Sequence, residues 1–83
     1  VKVRISNDAK KDLRNLDEAT RGRILKALNG MQEHPDSADL KKLKGFSDTW
    51  RLRVGNYRVI LEVDQEEGVA YATRIKHRRE AYR

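Results

Sequence analysis

Trp50-Arg51-Leu52-Arg53-Val54, Gly55-Asn56, then Tyr57-Arg58-Val59-Ile60-Leu61-Glu62-Val63 settles the architecture of this chain. Apolar residues alternate with polar or charged ones on both sides of a two-residue Gly-Asn loop, the pattern of a β-hairpin with one covered face. A two-residue turn sets the pairing. Val54 faces Tyr57, Arg53 faces Arg58, Leu52 faces Val59 and Arg51 faces Ile60. Trp50, Leu52, Val54, Tyr57, Val59 and Leu61 then share one face, and Arg51, Arg53 and Arg58 share the other.

Working outward, a loop over residues 64–68 leads to a last strand over 69–77. There the alternation predicts Val69, Tyr71, Thr73 and Ile75 on the covered side. Ala70, Ala72, Arg74, Lys76 and Arg78 fall on the open side, the alanines as a shallow floor and the cations as its rim. Upstream, Val1, Val3 and Ile5 alternate with Lys2 and Arg4, a half-buried strand. Ser6-Asn7-Asp8 offers helix-capping chemistry, and Ala9, Leu13 and Leu16 make the stripe of a short amphipathic helix. Asp17-Glu18 can cap a second helix, whose stripe is Ile24, Leu28 and Met31, helped by Leu25 and Ala27. His34-Pro35 ends it, since a residue before proline avoids the α region. Residues 36–45 read as a polar connector carrying Lys41, Lys42 and Lys44. The expected fold is α+β: a strand, a two-helix hairpin and a three-stranded meander, with both helices on one face of a small antiparallel sheet.

The chain has 83 residues, enough for one domain with a thin core. It is 39% charged and carries a net +6, unevenly spread. Residues 1–40 hold 8 basic and 7 acidic side chains, whereas residues 41–83 hold 11 and 6. A local cationic excess points to a polyanion, nucleic acid first. No apolar run approaches the ~18 residues of a spanning helix, so no membrane association is expected, and no signal peptide is visible. The absence of cysteine fits a reducing cytoplasm. Two distant histidines, His34 and His77, argue against a transition-metal site, and no phosphate loop or dinucleotide fingerprint is present; no cofactor is expected.

Like charges directly opposite in a sheet destabilise it, so Arg53 against Arg58 has a cost that stability alone does not explain. Several guanidiniums on one face suit a phosphodiester backbone, which they can bind bidentately. The segment Lys76-His77-Arg78-Arg79-Glu80-Ala81-Tyr82 adds an imidazole and a phenol to the same region, components of acid–base catalysis.

Leu43-Lys44-Gly45, the hairpin from Trp50 to Ile60, Ile75-Lys76-His77-Arg78 and Glu80-Ala81-Tyr82 together strongly resemble the RelE branch of the RelE/ParE toxin superfamily. The resemblance covers nearly the whole chain. It implies the toxin of a type II toxin–antitoxin pair, a ribosome-dependent, metal-free endoribonuclease cutting messenger RNA in the ribosomal A site. It also implies a cognate acidic antitoxin that holds the toxin inactive. By position, Arg51, Arg53, Arg58, Arg78 and Tyr82 match the family's catalytic residues, with arginines at 51 and 53 where RelE proper favours lysines. Lys41, Lys42, Lys44, Arg74 and Lys76 would bind flanking RNA, and His77 is a second-choice general acid. A ParE-like inhibitor of DNA gyrase, acting by protein contact alone, is the alternative.

Overall fold

The computed structural model describes residues 1–43 and 48–81. Strand β1 (Lys2–Ile5) is followed by helices α1 (Asn7–Arg14) and α2 (Glu18–Glu33), a single 3-10 turn (Pro35–Ser37), and strands β2 (Leu40–Lys42), β3 (Thr49–Val54), β4 (Tyr57–Asp64) and β5 (Val69–His77). The sheet order is β1-β5-β4-β3-β2.

Both helices start where the sequence supplies a cap. The Ser6 hydroxyl accepts from the Ala9 amide at 3.1 Å and donates to the Thr73 carbonyl, so one side chain starts α1 and ties it to β5. Asp17 caps α2 through the Thr20 amide. Arg21 of α2 donates to the carbonyls of Leu13 (2.9 Å), in the last turn of α1, and Leu16 (2.6 Å), in the connection after it, fastening the two helices together.

The hairpin register is the one its turn dictates, with Val54 on Tyr57, Arg53 on Arg58, Leu52 on Val59 and Arg51 on Ile60. Gly55, at φ +58°, takes the left-handed conformation such a turn requires. The helices cover the face carrying Leu52, Val59 and Leu61, which join Ala9, Leu13, Ile24, Leu28, Met31, Ala70, Ala72 and Ile75 in one apolar cluster. Leu25, expected to help, is instead exposed on α2.

Three expectations are corrected. The sheet is mixed, because β1 pairs with β5 in parallel. Both helices and the three other strands lie between β1 and β5 along the chain, and parallel neighbours need a long connection rather than a hairpin. Residues 40–42, read as connector, form edge strand β2 on β3; three residues are too few to display a period. The last strand does not alternate throughout. Ile60 pairs with Arg74 but Leu61 pairs with Ala72, so Thr73 is an extra residue on β5. This bulge moves everything before it to the opposite face. Ala70 and Ala72 are buried at 2% and 0% exposure, while Tyr71, opposite Glu62, turns to the open side. There is no alanine floor.

Candidate nucleic-acid interface

The open face follows from the register. One row across four strands reads Lys41, Arg51, Ile60 and Arg74, and the next reads Arg53, Arg58 and Lys76. Strands lie about 4.8 Å apart, so each row is on the order of 10–15 Å long. Six cations thus share one patch of sheet, with Ile60 rather than alanine between them.

Two carboxylates from outside the strands reach into this patch. Asp39, just before β2, takes Arg53 Nε at 2.5 Å and Arg51 Nη1 at 3.4 Å. Asp12 of α1 takes Arg74 Nε at 2.9 Å and also the Ile75 amide at 2.8 Å. The second bond has a topological cause. β1 pairs with β5 only as far as Ala72, which leaves the next β5 amides at an open edge, and Asp12 satisfies one of them. Burial acts to raise the Asp12 carboxyl. The hydrogen bonds from Arg74 and Ile75, with the charges of Arg74 and Lys76, outweigh it and hold Asp12 below the usual 3.8.

The cations differ in their freedom. Arg58 folds back on the hairpin turn, its Nη1 donating to the carbonyls of Gly55 and Tyr57 at 2.9 Å each. The Arg51 side chain is only 13% exposed, and its Nε is buried with no hydrogen-bond partner among the described residues. Lys76 and Lys41 enter no ion pair among the described residues.

Other expected site residues stand elsewhere. Lys42 pairs with Trp50 and therefore belongs, by register, to the side away from the arginine rows. β5 runs through His77, so alternation holds and His77 lies opposite Tyr57. The two rings meet edge-on at 5.4 Å, off the cationic patch. Arg78 comes after the strand, where strand alternation no longer governs it. Its amide donates to the Asn56 carbonyl at 2.7 Å, anchoring it beside the hairpin turn at the Arg58 end. The turn continues through Glu80 and Ala81, whose amides both donate to the His77 carbonyl. Lys44 and Tyr82 lie outside the described residues.

Asp39 and Asp12 do not announce themselves in the sequence. Each is remote from its arginines along the chain. A signal for Asp39 depends on knowing β2, since extending the Leu40–Leu52 pairing by one residue sets Asp39 opposite Arg53.

The same arrangement of helices and sheet recurs in known toxins. The family described as the ParE toxin of the type II toxin–antitoxin system parDE matches residues 3–82. Toxin RelE3 of Methanocaldococcus jannaschii is 31% identical over 86 residues, covering 99% of this chain and 96% of that protein. Among solved structures, the RelB–RelE antitoxin–toxin complex from Methanococcus jannaschii aligns at TM-score 0.78 and 29% identity, over 94% of this chain and 93% of that one. The archaeal RelE–RelB complex from Pyrococcus horikoshii aligns at TM-score 0.79 and 30% identity, over 96% and 97%. With one family spanning almost the whole length and these relatives matched end to end, the chain belongs to the RelE/ParE superfamily of type II toxin–antitoxin toxins.

Proposed function

We propose that this toxin is a ribosome-dependent endoribonuclease that cuts messenger RNA in the ribosomal A site, working on the open face of its sheet as one toxin domain. The observation that carries the reading is the pair of cationic rows. Arg53 directly opposite Arg58, with Lys76 beyond, costs stability. A polyanion laid across the rows converts that cost into binding.

The proposed reaction is metal-free. The ribose 2′-oxygen attacks the adjacent phosphorus, the bond to the 5′-oxygen breaks, and the products carry a 2′,3′-cyclic phosphate and a 5′-hydroxyl. Arg51, Arg53 and Arg58 hold the non-bridging oxygens and stabilise the charge that grows on them in the transition state. Tyr82 takes the 2′-OH proton. Arg78, tied to the turn beside Arg58, stabilises the departing 5′-oxygen, which takes a proton from solvent water to become the 5′-hydroxyl. Lys41, Arg74 and Lys76 hold flanking phosphates. The cognate partner is an acidic antitoxin that covers the same face, as suggested by the relatives crystallised with RelB, and the site of action is the cytoplasm. No helix among the described residues is long and apolar enough to cross a membrane.

The purified toxin, incubated with programmed ribosomes, is expected to cut messages at the A site, read by sequencing both new ends. Arg58→Ala and Tyr82→Phe should each lower the cutting rate by about 10²-fold or more with circular dichroism unchanged. The description of the matching family as ParE favours a second reading, inhibition of DNA gyrase by contact. Undiminished toxicity in both variants, with gyrase arrest and intact message, would establish that reading instead.

A further inference from the structure

Arg51 and Arg53, two residues apart on β3, converge on the single carboxylate of Asp39. That carboxylate is held in place by its own backbone, because the Arg53 amide donates to the Asp39 carbonyl at 3.0 Å. The pairing is poorly matched. Arg53 approaches closely at 2.5 Å, whereas Arg51 offers one Nη1 at 3.4 Å and keeps a buried Nε without a partner among the described residues. A guanidinium has five N–H donors in a fixed fork, and Arg51, whose side chain is only 13% exposed, turns one of them to Asp39 at a long distance. A carboxylate and a phosphodiester present the same recognition unit, two oxygens sharing one negative charge, which arginine forks accept. The Asp39 side chain is 45% exposed and that of Arg53 57%, so water screens the pair and an incoming anion can reach it.

We propose that Asp39 is a built-in stand-in for phosphate, occupying the Arg51–Arg53 pair until an RNA phosphodiester displaces it, and so setting the affinity of this face for RNA. The inference rests on the RNA-binding reading above. Displacement costs the toxin both ion pairs of Asp39, so RNA that offers only one phosphate at a time binds weakly. RNA held in register across both cationic rows recovers the cost through its other phosphates. Asp39 is thus a discriminator between loosely and firmly presented RNA.

The test uses a short oligoribonucleotide carrying 2′-O-methyl groups, which cannot be cut, with binding followed by fluorescence anisotropy over a range of salt. Asp39→Asn and Asp39→Ser should each bind it about three- to tenfold more tightly at low salt. The slope of log K against log salt should steepen by about 0.7, the increment for one more neutralised phosphate on a single strand. The tighter binding should vanish in an Arg53→Ala background, which a purely structural effect would not explain. Unchanged or weaker binding by both Asp39 variants, with native circular dichroism, would overturn the inference and make Asp39 a residue that positions the arginines. Arg53→Ala and Arg58→Ala report separately on the underlying reading. If both bind as wild type does, the RNA interface itself is wrong and this inference falls with it. If both weaken while the Asp39 variants bind no more tightly, only the inference fails.

Discussion

At the scale of single residues, the two acids that pair with arginines of the cationic patch among the described residues do different work. Asp39 is half-exposed and neutralises arginines. Asp12 has less access to water, 18% for its side chain, and satisfies a strand-edge amide as well as Arg74. Its folded-state carboxyl lies below the unfolded value, so it adds stability above that value and loses it as pH falls through the folded one. Asp12→Ala strips the Ile75 amide of its acceptor and should cost about 1–3 kcal/mol near neutrality. In urea titrations at several pH values, the variant should also show a shallower loss of stability below about pH 4 than the wild type. An unchanged acid limb would mean that the Asp12–Arg74–Ile75 arrangement contributes nothing in solution.

At the scale of elements, the bulge at Thr73 decides which residues of β5 meet RNA and which meet the core. Bulges insert one residue into one strand and reverse the facing of everything on one side of it. Here Arg74 and Lys76 stay with the arginines, while Ala70 and Ala72 go to the helices. The consequence is measurable by a pair of substitutions. Ala72→Lys buries an unpaired ammonium in the apolar cluster beneath α1 and should abolish folding, or cost at least about 3–5 kcal/mol by analogy with an uncompensated buried charge. Tyr71→Lys, on the open side, should cost under about 1 kcal/mol, within reach of ordinary surface substitutions. Thermal melts of the two variants check this. Uninterrupted alternation demands the reverse order. The edges are managed differently. β1, at one end, has its Val3 amide taken by the Gln32 side chain of α2 at 2.9 Å, and β2, at the other, is short and ends in two lysines. Both devices discourage pairing with stray strands.

At the scale of the whole molecule, charge and apolar surface are sorted to opposite sides of one sheet. The helices and the core-facing side chains bury one face, and the other presents lysines and arginines from four strands. With a single apolar cluster between the layers, unfolding should be cooperative. Trp50 is the sole tryptophan and packs against that cluster, so its fluorescence reports the sheet, whereas far-ultraviolet circular dichroism is dominated by the helices. The two urea transitions should coincide within error. Separated midpoints would show that α1 and α2 detach before the sheet melts.

The helices, their caps and the β3–β4 hairpin were legible in the sequence because each is written in neighbouring residues. Ser6, Asp17 and Pro35 mark boundaries, and Gly55-Asn56 imposes a register that the alternating arginines then obey. From the chain alone it follows that Arg51, Arg53 and Arg58 share a face. What tertiary structure decided is everything that depends on partners far along the chain. The parallel seating of β1 on β5, the three-residue β2 and the Thr73 bulge leave no periodic trace, because pairing between distant segments is chosen by packing rather than by local pattern. The same holds for the acids. Asp12 meets Arg74 across 62 residues and Asp39 meets Arg53 across 14, and only the folded chain brings those charges within reach of one another.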